Sequence, residues 1–238
     1  MSSTRPVRSI KILENMLETS AAYDIFGRTL QFGCELLLAT LYKGVKNSST
    51  ITLRKLESSM GTARSVLFLG QFVGVLRKMN FNPKTWAEIC QTTSHGSLAL
   101  FFIVENILFA GRYGLISLRE DQRKLLSILS TFFWMFEALP SIPKYAILLK
   151  KKGKRADELK EHRISFVSAF LDSLTASHFL GLKPGISDPV ANLFGVLTSL
   201  IYLRSAYRRA KENVMAIEDM ETSSDKAGAS SMEAKKND

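Results

Sequence analysis

The chain has 238 residues, 46% of them hydrophobic and 23% charged, an average composition that by itself excludes neither a soluble nor a membrane-bound protein. Its formal charge of +10 is uneven, because residues 212–238 hold seven acids against three lysines (−4), which leaves +14 on residues 1–211. Such a basic body suits nucleic acid or an anionic lipid surface. Two cysteines, Cys34 and Cys90, without CxxC spacing exclude a disulfide framework.

In chain order, no continuous apolar run follows Met1, so a cleaved secretory leader is not expected. Residues 7–19 place Val7, Ile10, Leu13 and Leu17 at helical spacing and predict a short amphipathic helix. Asp24–Lys43 predicts a second helix, with Asp24 and Arg28 four apart and able to pair on its surface. Gly44, Asn47 and Ser48 mark a loop. Over residues 50–79, Leu53, Leu56, Met60, Ala63 and Leu67 share one face while Arg54, Lys55 and Glu57 lie off it. From Val66 to Leu76 the chain is apolar on nearly all sides, and Arg77 and Lys78 close the helix where cations suit its dipole. A helix of this kind fits the boundary of an anionic bilayer, and its composition equally fits a central helix of a soluble bundle.

Pro83 breaks the chain, and Trp86–Ser97 is mixed and polar. Four segments then read as membrane-embedded: 98–116, 125–149, 164–182 and 187–203. An even number of them puts both termini on one side together with Lys150–Arg155 and the Arg204–Lys211 cluster, in agreement with the positive-inside rule. Glu105, Asp172 and His178 fall inside these segments and are expected to face the bundle interior. From Glu218 the chain is Ser-, Ala- and charge-rich without aromatics and predicts disorder. The fold expected is all-α: a helical membrane protein with an N-terminal amphipathic region (1–82), a membrane-embedded bundle (83–211, with a basic loop at 150–163) and a disordered acidic tail (212–238).

His95, His162 and His178 are scattered away from ligand spacing, so no metal is expected, and no phosphate-binding, dinucleotide-binding or nucleophile-elbow motif occurs. The sequence supports neither catalysis nor a cofactor. Nucleic-acid binding would need stacking aromatics or a known module, and neither is present. Gly70 and Gly74 form a GxxxG step suited to self-association or to packing within the chain. Lys235 and Lys236, near the C-terminus, resemble a dilysine signal read by cytosolic coat proteins.

Three stretches resemble one family. They are Asp24-Ile-Phe-Gly-Arg28-Thr-Leu-Gln31-Phe32, then Leu53-Arg-Lys-Leu-Glu57 with Ala63-Arg64 and Leu69-Gly70, then Phe102-Ile-Val-Glu105-Asn106 through Gly111. Together they resemble the peroxin-eleven family of membrane proteins that shape and divide peroxisomes. Where many members carry more basic residues in the amphipathic helix, this chain has Ser65, Phe68 and Gln71. The resemblance implies a non-enzymatic protein of the peroxisomal membrane, with both termini cytosolic. It would promote elongation, proliferation and fission by wedging an amphipathic helix into one leaflet and by self-association, alongside organelle fission machinery. The expected lipid-binding set is Leu53, Leu56, Met60, Leu67, Phe68, Phe72 and Leu76, with Arg54, Lys55, Arg64, Arg77 and Lys78 at anionic head groups. The alternative is a channel or carrier for small metabolites, motivated by Glu105, Asp172 and His178.

Overall fold

The computed structural model describes residues 4–150, 155–182 and 185–234, and all regular structure among them is helical. The chain forms two compact units: Asp24–Ile201, and Met1–Tyr23 with Tyr202–Asp238. Its helices are α1 (Thr4–Leu17), α2 (Ser20–Thr40), α3 (Ser48–Leu67), α4 (Gln71–Arg77), α5 (Trp86–Arg112), α6 (Glu120–Ala138), α7 (Ser141–Lys150), α8 (Ala156–Phe179) and α9 (Asp188–Ala234). Lys151, Lys152 and Lys154 of the basic run, and the dilysine Lys235–Lys236, lie outside the described residues.

In the unit built from the two ends of the chain, α1 packs Ile12 and Met16 against Ala210 and Val214 of α9. Both pairs are four residues apart, so each presents one side of a helical turn to the other. The packed face is therefore not the one the sequence suggested, since Ile10, Leu13 and Leu17 are exposed. Arg8 pairs with Glu218 at 3.1 Å, and Asn213 donates to Asn15 at 3.4 Å. These contacts carry α9 as a packed helix past Glu212, where the sequence was read as passing into a disordered tail.

The larger unit is organised around a helical hairpin. Thr85 caps α5 by accepting from the Glu88 amide at 3.2 Å, which makes the polar residues from Trp86 onward the first turns of one long helix. At the far end Gly111 admits Leu118, whose Cδ1 would lie only 2.2 Å from an added Cβ. There the chain turns back into α6, and α5 and α6 pack along each other. Pro140, which has no amide hydrogen to donate, separates α6 from α7. Leu125, Ile128, Phe132, Phe136 and Leu139, at steps of three and four, leave an exposed apolar stripe along α6.

Among the described residues, two stretches are long and apolar enough to cross a membrane: Trp86–Arg112 and Glu120–Lys150. The pair α3–α4 becomes a third if its bent halves are taken as one span. Of the four segments expected from sequence, 98–116 and 125–149 overlap these stretches, while 164–182 and 187–203 are not among them. Within 164–182, α8 carries Asp172 and His178 together with Ser165, Ser168, Ser173, Thr175 and Ser177. The first turns of α9 contain Asp188, Pro189 and Asn192. These two helices turn their small and polar side chains inward instead, with Ala176, Thr175, Ala191, Thr198 and Ser199 fully buried.

Arg28 sits at the centre of this unit. Its guanidinium donates to the Asp172 carboxylate of α8 and, at 3.1 Å, to the Thr198 hydroxyl of α9. It also lies 5.5 Å from the Phe32 ring centroid and 5.3 Å from that of Trp134 on α6. Phe32 in turn requires Gly195, since a Cβ there would come within 2.6 Å of its ring. The expected surface pairing of Asp24 with Arg28 is replaced by partners on other helices for both residues. Removing one member of a buried ion pair strands the other, so Asp172→Ala should destabilise the protein by about 3–5 kcal/mol. The double change Arg28→Met with Asp172→Leu should lose far less, as measured by denaturant unfolding in detergent micelles.

Candidate membrane-binding helix and its polar clamp

Helix α3 starts two residues earlier than its apolar pattern because Asn47 and Thr50 cap it reciprocally. Asn47 Oδ1 accepts from the Thr50 amide at 2.9 Å, and the Thr50 hydroxyl accepts from the Asn47 amide at 3.1 Å. The helix stops at Leu67, and Gly70 adopts a left-handed conformation (φ 73°) that only glycine takes without strain. Gln71 satisfies a terminal carbonyl by donating from Nε2 to Leu67 O at 2.6 Å. Helix α4 then leaves at 51° to α3. The GxxxG step therefore straddles the break between the two helices. Gly70 lies in the break, so Gly70 and Gly74 share no helical face, and open space surrounds the position of an added Cβ at each.

The lipid-facing residues expected from sequence divide into two groups. Arg54, Lys55, Leu56, Leu76, Arg77 and Lys78 are exposed, and Leu53, Met60, Leu67 and Phe72 are half-buried. Phe68, in contrast, is buried against Phe101 and Phe102 of α5, with ring centroids at 5.6 and 5.2 Å. Arg64 is held within the protein. Its Nε donates to Asp24 Oδ1 at 2.7 Å, its Nη1 donates to Gln31 Oε1 at 2.9 Å, and its guanidinium lies 5.5 Å from the Phe68 ring centroid. The sequence reading missed Val66, Leu69 and Val73, which are exposed and bracket the bend with Leu76. The run from Val66 to Leu76 is apolar on almost every side, so periodicity alone cannot select the free face.

Two glycines let α2 and α3 approach. A Cβ at Gly27 would lie 2.9 Å from Arg64 Cγ, and one at Gly61 would touch Gln31 at 3.7 Å. One turn further along α2, Glu35 is pushed up to about 7, first by burial and then by the charge of Glu57 on α3, against lowering by Gln31 and Arg64. Glu105 and Asp172 are both engaged internally, Glu105 by the Ser130 hydroxyl and Asp172 by Arg28. His178 lies at the end of α8, 2.9 Å from Asp188.

The Peroxisomal biogenesis factor 11 (PEX11) family model matches residues 10–207, most of the chain and the whole of α2 to α8. The chain belongs to the PEX11 family. Peroxisomal membrane protein 11B of Homo sapiens is 33% identical over 110 residues, which are 44% of this chain and 42% of that protein. The Pongo abelii and Bos taurus proteins of the same name match to the same extent. The similarity therefore spans less than half the length of these relatives. No solved structure matches the chain. PEX11 proteins are peroxisomal membrane biogenesis factors and not an enzyme family, and the apolar helices α5 and α6–α7 fit membrane association.

The Glu35 carboxyl gives the α2–α3 pairing a pH dependence. An acid whose folded pKa is raised from 4.5 to about 7 holds its proton better when folded. Its stabilising contribution is full below about pH 4.5 and is lost as the pH rises through about 7. Thermal unfolding in detergent should show a lower midpoint at pH 8 than at pH 5.5, and Glu35→Gln should flatten most of that difference.

Proposed function

We propose that this protein shapes the peroxisomal membrane, promoting elongation, proliferation and fission by inserting α3–α4 into one leaflet. The observation that carries this reading is the surface of that helix pair. Ile51, Leu56, Val66, Leu69, Val73 and Leu76 are exposed apolar side chains, and Arg54, Lys55, Arg77 and Lys78 are exposed cations near its two ends. Apolar side chains set among basic ones partition to the head-group boundary of anionic bilayers, where each nearby cation adds about 1 kcal/mol. Volume added to one leaflet alone favours curvature, and self-association would concentrate the wedges before the fission machinery acts.

A hairpin of α5 and α6–α7 is the anchor in this reading. Its two crossings return residues 1–82 and the chain beyond Lys150 to the same side, which would be cytosolic. That side then holds Arg204, Arg208, Arg209 and Lys211, as the positive-inside rule favours. The same topology would present Lys235 and Lys236 to cytosolic coat proteins. A metabolite channel or carrier is less well supported, because Glu105 and Asp172 are committed to Ser130 and Arg28.

A capped peptide of residues 47–79 should become helical on anionic liposomes and draw them into tubules. Leu56→Glu with Leu69→Glu should lower its binding by about tenfold or more per leucine, given about 1.5–3 kcal/mol for each buried side chain. Binding without any change in liposome shape, seen by electron microscopy, would count against a shaping role.

A further inference from the structure

The polar clamp between α2 and α3 has a consequence for how α3 reaches lipid. Arg64 is the one cation of the expected head-group set that is turned into the protein, and both of its side-chain acceptors, Asp24 and Gln31, belong to α2. The two helices meet across Gly27 and Gly61, and the stem of Arg64 fills the space that a side chain at position 27 would occupy. The clamp is only partly shielded: the Arg64 and Asp24 side chains are 18% and 23% exposed. An ion pair at that depth is reachable by a competing anion.

A guanidinium binds a phosphate by the same forked geometry that it uses for a carboxylate. The phosphodiester of a lipid head group can therefore take the place of Asp24 on Arg64 without leaving the cation unpaired. We propose that α2 is a latch that holds α3 against the protein through Arg64, and that an anionic lipid surface opens it by exchanging the Asp24 carboxylate for lipid phosphate. The proposal rests on the wedge reading of α3–α4 and adds its control. In the latched state Arg54, Lys55, Arg77 and Lys78 make the first contact with the bilayer, and Arg64 follows when α3 leaves α2. The charge of Glu57 on α3 also disfavours ionisation of Glu35 on α2, and that repulsion favours opening.

The test uses the full chain reconstituted in phosphatidylcholine vesicles, with and without phosphatidylserine. An environment-sensitive fluorophore is attached to a cysteine replacing the exposed Ile51, in a Cys34→Ser, Cys90→Ser background. Wild-type protein should insert α3 mainly in the anionic vesicles. Asp24→Asn with Gln31→Leu should raise the inserted fraction in the neutral vesicles about fivefold, as expected for loss of a clamp worth about 1 kcal/mol. Exchanging the partners, Asp24→Arg with Arg64→Asp, should restore the clamp and return insertion in neutral vesicles to the wild-type level. Equal insertion by wild-type and clamp variants in both vesicle types would overturn the latch while leaving the wedge intact. An absence of insertion in every protein, in anionic vesicles as in neutral ones, would overturn the wedge reading and the latch with it.

Discussion

A guanidinium withdrawn from water has to be given a counter-charge and hydrogen-bond acceptors where it stands, because leaving either out costs several kcal/mol. Arg28 receives them from Asp172 and Thr198, with the rings of Phe32 and Trp134 beside it, so one side chain ties α2 to α6, α8 and α9. Fixing Arg28 also fixes the register of α2. Asp24 lies one turn before it and Gln31 nearly one turn after, and both point at α3. The acid, base and Gln-aromatic order at Asp24, Arg28, Gln31 and Phe32 thus serves two partners. Residues 28 and 32 hold the bundle, and residues 24 and 31 hold the amphipathic helix.

Those four residues also show how far sequence could be read. Their presence on one helix and their order were plain, but the pairing of Asp24 with Arg28 was the local guess. The true partners are 40 and 144 residues away, at Arg64 and Asp172. The apolar runs behind α5 and α6–α7 were legible because a membrane crossing needs only length and composition. Helices α8 and α9 have similar apolar content in places, yet they bury Ser, Thr and Ala against protein, and hydropathy does not tell those two uses apart. The break at Gly70 was hidden because a glycine in an apolar run reads equally as a packing notch and as a helix stop. On α1 the packed stripe became evident only once Ala210 and Val214 supplied the other half of the contact.

Helix α3–α4 and the α5/α6–α7 hairpin expose the apolar residues of the larger unit in two different patterns. The hairpin offers a broad hydrocarbon-compatible surface with its charges at the ends or tied up internally. The α3–α4 pair mixes exposed cations with exposed Val and Leu; α3 alone is too polar to cross and α4 alone too short. That contrast is physical, since a crossing must satisfy all its polar groups within itself, while a helix at the interface keeps one side in water. The two regions meet where Phe68 packs on Phe101 and Phe102, so motion of the amphipathic helix is felt directly by α5.

The tight turn between α5 and α6 bears on how such a chain enters a bilayer at all. Only the link from Tyr113 to Arg119, flanked by Arg112 and Glu120, separates the two helices, and Leu118 is folded back onto Gly111. A pre-formed pair of helices joined in this way can be pushed into lipid from one face, with little more than that short link dragged through the hydrocarbon. On the two-crossing topology proposed above, everything before Trp86 and after Lys150 would stay where it was synthesised. Delivery to an organelle after translation then needs no passage for a folded domain, and the few charges at the tip of the hairpin set the height of the insertion barrier.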